Sequence, residues 1–380
     1  MISSRIGGGG EHYTFNVKEK PVLVVVKGNF GIASQDIFNG VEKIVTLQRD
    51  WFGDYEYPFY RVVINERKEI IAGTAVKNQF VCFVKADIDA DELNIILSHE
   101  MFHNWLPEKI KITHTADYYG TIYEWFTEGF TTYFAKKILL EAGLLSIEKY
   151  IELINKEIQN IGDSQLKNVT SAEIIATIKE GKFYSEYKKL AYWRGALIAL
   201  KWEAELQNSK EKESLSGFIK ALYRFAQNKG GKISEQEFHL FSEEFGIHAA
   251  ADFEKYIVGG ASILLPHSLP LEVSESVEIA EIDFHVFDPG FDLITTKKTS
   301  LISGVAKNGK AYNAGLRDGM KFVRSENSTR GDFGWNEDRL LKVTVKENET
   351  EAEITVAFIP LDSLVKIQQL SLKTVFTRMQ

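Results

Sequence analysis

"LSHEMFHNW", residues 97–105, sets two histidines four positions apart with a glutamate beside the first. On an α-helix, side chains at i and i+4 share a face about 6 Å apart. At that separation His99 and His103 can reach one tetrahedral ion through bonds of about 2.0–2.1 Å. Glu100 is placed to take a proton from a metal-bound water. The competing reading is a pair of histidines on a solvated face. A catalytic zinc needs a third protein ligand and one open position, so the neighbouring sequence decides between them.

"WFTEGFTTYF", residues 125–134, offers that ligand in Glu128. The 24 residues between His103 and Glu128 suffice for a loop and an antiparallel helical return. Glu124 is the rival carboxylate, one turn earlier on the same face, and is also a candidate substrate contact. Trp125, Phe126, Phe130, Tyr133 and Phe134 surround this turn with apolar bulk. A carboxylate beside such a core needs a positive partner, and a metal is a good one. Further on, "AYWRGALIALKWE" (191–203) supplies Tyr192, a candidate donor to the oxyanion that forms when a carbonyl is attacked. A tyrosine among apolar residues is more often core. Tyr187 is a lesser candidate for the same task, and His114 reads as ordinary surface.

The totals exclude several other classes. The 380 residues exceed one ordinary core and predict more than one domain. A hydrophobic share of 44% with 26% charged residues is that of a globular chain and too rich for disorder. The net charge of −8, with no Lys/Arg-rich block, argues against a nucleic-acid partner. No apolar run is long enough to span a membrane. The single cysteine, Cys82, rules out an internal disulfide and a zinc-finger spacing, so a metal must be held by histidines and carboxylates. The start, "MISSRIGGGGEHYTFNV", has neither the apolar core nor the cleavage site of a signal peptide, which predicts a cytoplasmic location.

Residues 12–85 alternate β-branched and aromatic runs ("YTFNV", "PVLVVVKGNF", "YRVVINE", "QFVCFVKA") with one helical stretch, "SQDIFNGVEKIVTLQRDWFG". A mixed sheet with a helix against it is expected. From 90 to about 260 the spacing is helical, beginning with "DADELNIILSHEMFHNWL", which should stop at Pro107. After residue 262 strand-like texture returns, and "LLKVTVKENETEAEITVAF" reads as a hairpin. The predicted organisation is a flexible segment 1–11, a catalytic domain 12–265, a linker 266–285, a small β-rich domain 286–365 and a tail 366–380.

"HEMFHNW", "WFTEGFTTYF" and "AYWRGALIAL", in that order, resemble the zinc peptidases whose third ligand is a glutamate. Among these they are similar to the glycyl aminopeptidase family with its C-terminal PDZ domain. Alanyl-aminopeptidase relatives place the second histidine and the glutamate closer together. "WFGDYEYPFYRVVI" (51–64) resembles a family segment ahead of the catalytic helix. The resemblance implies an α+β fold, with a thermolysin-like zinc peptidase domain (mixed sheet plus helical bundle) followed by a small PDZ-like domain. It implies one Zn²⁺ on His99, His103 and Glu128, with Glu100 as general base. Tyr192 would stabilise the tetrahedral intermediate, and Arg194 replaces the family's lysine. Peptides are the implied substrates.

Two departures qualify this. Where the family carries a glutamate that grips the substrate's free amine, the matching segment "AGTAVKNQF" (72–80) has Ala75, or Val76 in a shifted register. Gly73 and Ala75 are then candidate substrate contacts, with Glu124, Glu66 or Glu69 as replacement acids. The family's preceding β-domain also has little sequence here to form it. In the tail, "AYNAGLRDGMKFV" (311–323) resembles a PDZ segment, and "PGFDLI" (289–294) lies where a carboxylate-binding loop would be. Gly290 and Phe291 are the candidate loop residues, with Asp292 in place of a glycine. A peptide or protein ligand at that domain is the partner this implies; packing alone is the alternative. Three functional alternatives stay open: an endopeptidase or other zinc hydrolase, a non-catalytic peptide-binding protein, and a purely structural zinc site.

Overall fold

A computed structural model describes residues 10–68, 72–113, 123–164, 166–179, 184–208, 214–266, 277–326, 340–348 and 351–372. His114 and Glu69 lie outside them. The valine-rich runs form strands β1 (Glu11–Val17) and β2 (Lys20–Lys27) as an antiparallel hairpin. Helix α1 (Ser34–Phe52) then crosses to β3 (Tyr60–Glu66), which pairs parallel to β2. Such a crossover is what a parallel pair requires. The next hairpin, β4 (Ala72–Val76) and β5 (Gln79–Val84), inserts β5 beside β3 and leaves β4 at the edge. The sheet order is β1-β2-β3-β5-β4.

Val22, Val24, Val62, Ile64, Cys82 and Val84 are wholly buried within this sheet. α1 turns Ile37, Val41, Ile44, Val45 and Phe52 inward, the spacing of one helical face, and ends at Gly53 with φ 65°. The catalytic-motif helix α2 (Ala90–Phe102) starts at Asp89, whose carboxylate caps the Glu92 N–H at 2.7 Å. Asp91 and Glu92 add negative charge to its first turn. Regular helix stops at Phe102, short of the expected Pro107, because residues 103–109 fold into successive turns. Strand β6 (Lys111–Thr113) follows.

The helical half comprises a π-helical turn α3 (Trp125–Phe130), running directly into α4 (Thr131–Glu141), then α5 (Ile147–Asp163) and α6 (Ser171–Lys179). The long α7 (Tyr184–Asn208) and α8 (Leu215–Gln227) come next. β7 (Lys232–Ser234) pairs parallel with β6 and leads into α9 (Glu235–Glu244), whose Ser234 and Glu237 form a capping box. One continuous apolar core joins the sheet, α1, α2 and these helices. No described helix is long and apolar enough to cross a membrane.

The C-terminal part has its own core, built on Phe287, Ile302, Leu316, Leu341, Val343 and Phe358. Its elements are β8 (Val277–Phe287), short helices α10 (Leu293–Thr299) and α11 (Lys310–Asn313), then β9 (Lys321–Glu326), β10 (Leu341–Lys346), β11 (Ile354–Phe358) and β12 (Leu361–Leu372). β10 pairs antiparallel with both β9 and β11, the second pair being the expected hairpin. The structure corrects the expected linker and tail. Residues 277–285, placed in a linker, and 366–372, placed in a tail, are paired strands of one antiparallel ribbon, β8 with β12. Val277, Ile279, Ile367 and Leu370 bury their side chains in the large core, which is why neither stretch is loose chain.

Candidate active site

α2 and α3 present the predicted ligands to a common point. Nε2 of His99 and Nε2 of His103 are 3.1 Å apart. Glu128 Oε2 lies 3.3 Å from the first and 3.5 Å from the second. A tetrahedral ion with bonds of about 2.0–2.1 Å has its ligand atoms about 3.3–3.4 Å apart. The three atoms therefore form a face of such a tetrahedron. His103 uses its other nitrogen, Nδ1, to donate to the Leu106 carbonyl at 2.8 Å, which orients the ring with Nε2 towards His99.

Charge at the site follows from burial and pairing. Burial lowers the His99 imidazole to about 4, so it is neutral and its lone pair is available. At His103 burial acts in the same direction, but the Glu128 carboxylate and the Leu106 carbonyl outweigh it and raise the pKa. Burial pushes the Glu128 carboxyl up, yet its hydrogen bonds from both histidines prevail and hold it well below the usual range. Glu128 is thus an anion facing two imidazoles. Glu100 differs: burial raises its carboxyl to about 7, the range of a general base that must both take and return a proton. The donor atoms of His99, Glu100 and His103 lie within 4.8 Å of one another, and Glu100 Oε2 has no hydrogen-bond partner. Glu128 has close contacts to both histidines, and Glu100 stands beside that triangle.

Two glycines set this geometry. A Cβ on Gly195 would lie 1.8 Å from the Trp125 carbonyl oxygen, and one on Gly129 would lie 2.3 Å from Gly195 Cα. α3 and α7 therefore cross with their backbones in contact. The crossing brings Tyr192 against the metal site, its ring stacked on His99 at 5.9 Å and 9°. Burial, then the Glu128 carboxylate that its hydroxyl hydrogen-bonds, keeps Tyr192 protonated far above neutral pH. A third glycine, Gly73 in β4, sits over Glu100: a Cβ there would be 2.1 Å from the carboxylate carbon.

The cleft above these groups encloses about 290 Å³, between Gly73, Thr74 and Ala75 on one wall and Lys188 and Tyr192 on the other. Ala75 lines it, as expected, and brings no charge. Among the replacement acids, Glu66 accepts from the Asn29 N–H at 2.9 Å and is not in the lining. Glu124 is also outside the lining, and burial raises its carboxyl. Tyr187 packs with Leu166 and Leu190 in a separate cluster. Sequence reasoning missed Lys188, Asn104 and Glu108, which all line the cleft. Lys188 stands one helical turn before Tyr192, a spacing that could have found it. In the C-terminal part, Phe291 is buried in the small core. The Gly290 N–H donates to Asp288 Oδ1 and the Asp292 N–H to the Ser303 carbonyl, both at 2.8 Å. These donors are not free for a peptide carboxylate.

His99, Glu100 and His103 gather at the junction of a mixed sheet and a helical bundle, a group that could hold a metal ion. The family model of the M61 glycyl aminopeptidases matches residues 92–198, the stretch that carries these side chains. No curated protein sequence matches the chain. Among solved structures it is similar to an aminopeptidase N family protein from Idiomarina loihiensis, at 16% identity and a TM-score of 0.67, over 97% of this chain and 69% of that one. It is also similar to yeast LTA4 hydrolase (14% identity, TM-score 0.50, covering 68% of this chain and 40% of that one). An M1 zinc metallopeptidase from Deinococcus radiodurans aligns at 17% identity and a TM-score of 0.45, over 68% of this chain and 54% of that one. At these identities the likeness is one of fold.

Proposed function

We propose that the chain hydrolyses peptide bonds with one zinc ion held by His99, His103 and Glu128. The observation that carries this is the triangle of ligand atoms, whose edges of 3.1, 3.3 and 3.5 Å suit a tetrahedral ion. Zinc bound there would acidify water and polarise the scissile carbonyl. Glu100 takes the proton of the attacking water and returns it to the leaving amine, a cycle its carboxyl near 7 is suited to. Tyr192, a protonated donor, steadies the oxyanion. β4 is an edge strand beside the cleft, so its free backbone groups can pair with an extended peptide.

The family favours removal of an N-terminal residue, and Glu108 is the lining acid outside the catalytic set that could meet an ammonium. Ala75 favours the second reading, endopeptidase action, because the 72–80 wall gives a free amine no counter-charge. The C-terminal unit is read as a PDZ-like domain used for packing, since the Gly290 and Asp292 donors are engaged.

One experiment tests the set. Zinc-loaded protein and its Glu100→Gln variant are assayed on an unblocked peptide and its N-acetylated twin. The expected result is that Glu100→Gln keeps stoichiometric zinc and loses about 10²–10⁴-fold in turnover. Full activity in that variant, or no zinc bound by the parent, would overturn the mechanism. Equal rates on the two peptides would decide for endopeptidase action.

A further inference from the structure

Arg194 lies two residues beyond Tyr192 on α7, about 200° around the helix, and so faces away from the cleft. Its side chain is buried, at 3% exposure. The hydrogen bonds it makes use one amino group: Nη2 donates to the Lys167 carbonyl at 2.8 Å and the Val169 carbonyl at 3.0 Å. Among the described residues no carboxylate pairs with it, and burial alone lowers its pKa, to about 10. A buried cation without an anion is costly, and the Nε and Nη1 donors remain for one.

Arg194 lines a second cavity, of about 180 Å³, between α5, α7, the 261–265 segment and the β8–β12 ribbon. The walls are apolar: Ile158, Ile161, Leu197, Leu265, Val365 and Ile367. Lys167 adds a second cation, its Nζ donating to the Gly162 carbonyl at 3.1 Å. The acid in the lining, Glu281, is exposed on β8. Gln368, also in the lining, is committed to the Leu265 backbone, accepting its N–H at 2.7 Å and donating to its carbonyl at 2.9 Å.

We infer that this cavity is a binding site for a monocarboxylate with a short apolar chain, its head group on Arg194 and its chain against the isoleucine and leucine walls. A guanidinium presents two parallel donors that match a carboxylate, and the apolar walls suit a short hydrocarbon chain. The site is separate from the catalytic cleft and shares no lining residue with it.

The test is calorimetric titration of the intact protein with hexanoate, with acetate as the chainless control and hexanol as the control without a head group. Saturable binding of hexanoate is expected, at least ten-fold tighter than acetate, with none for hexanol. Arg194→Met should abolish it while the melting curve and zinc content stay as in the parent. Val365→Trp, which fills the cavity from β12, should abolish it too and serves if the arginine variant does not fold. Absence of saturable hexanoate binding, or unchanged binding in both variants, would overturn the site and leave Arg194 as a tie for the 167–169 carbonyls.

Discussion

Arg49 and Arg194 are buried to the same depth, at 2% and 3% exposure, and are surrounded in opposite ways. Arg49 meets the Asp54 carboxylate at 3.4 Å and lies over the rings of Tyr57, Trp105 and Tyr60 at 4.1, 5.0 and 5.2 Å. Asp54 also accepts from the Trp105 indole at 2.7 Å and pairs with Lys109, so the turns leaving the catalytic helix are tied to α1. Among the described residues, Arg194 meets main-chain carbonyls alone. The first arginine belongs to the frame of the metal site and has its charge balanced within that frame. The second stands at the seam between the bundle and the C-terminal ribbon, where balance is left to something from outside.

The strongest way to break this contrast is Asp54→Ala. Removing one partner of a buried pair strands the other charge, so urea unfolding should show a loss of about 3–5 kcal/mol. A loss below about 1 kcal/mol would mean that the aromatic rings suffice for Arg49 and that the two sites are alike. Next in size is Gly195→Ala, which separates the two faces of α7. Its methyl group would meet the Trp125 carbonyl, forcing α3 off α7 at a cost of about 1–3 kcal/mol. Because Glu128 rides on α3, kcat/KM should fall by more than that stability loss explains; an unchanged kcat/KM would show that the crossing does not set the ligand position. The smallest effect belongs to Arg194→Met. Two carbonyls lose their donor, but a desolvated charge is removed, and the net change should stay within about 1 kcal/mol by the same unfolding measurement. A loss matching that of Asp54→Ala would make Arg194 a structural cation that needs no ligand.

Local pattern carried much of this into the sequence. The four-residue spacing of His99 and His103 is a property of helix geometry, and the apolar residues around Glu128 marked it as a carboxylate in need of a cation. The strand runs of the main sheet are β-branched stretches whose form depends little on distant partners. Tertiary information was not legible. Lys18 and Glu19 turn the β1–β2 hairpin with φ of 44° and 67°, without the glycine or asparagine that announces such a turn. Gly129 and Gly195 show their purpose only when α3 and α7 touch. Residues 277–285 read as strand-like, but they fall in the expected linker because their partner strand is far away in sequence: Val277 pairs with Leu372.

That ribbon also bears on how the chain is divided. Phe287, at one end of β8, is part of the small core, while Val277 and Ile279, at the other end, are part of the large one. A cut ahead of β8 would take Val277, Ile279, Ile367 and Leu370 from the large core, and a cut within β8 would divide the strand that serves both cores. The C-terminal portion is therefore less a detachable accessory than a clasp whose two prongs are sewn into the peptidase body, and neither piece has a clean edge along which it could be borrowed by another protein.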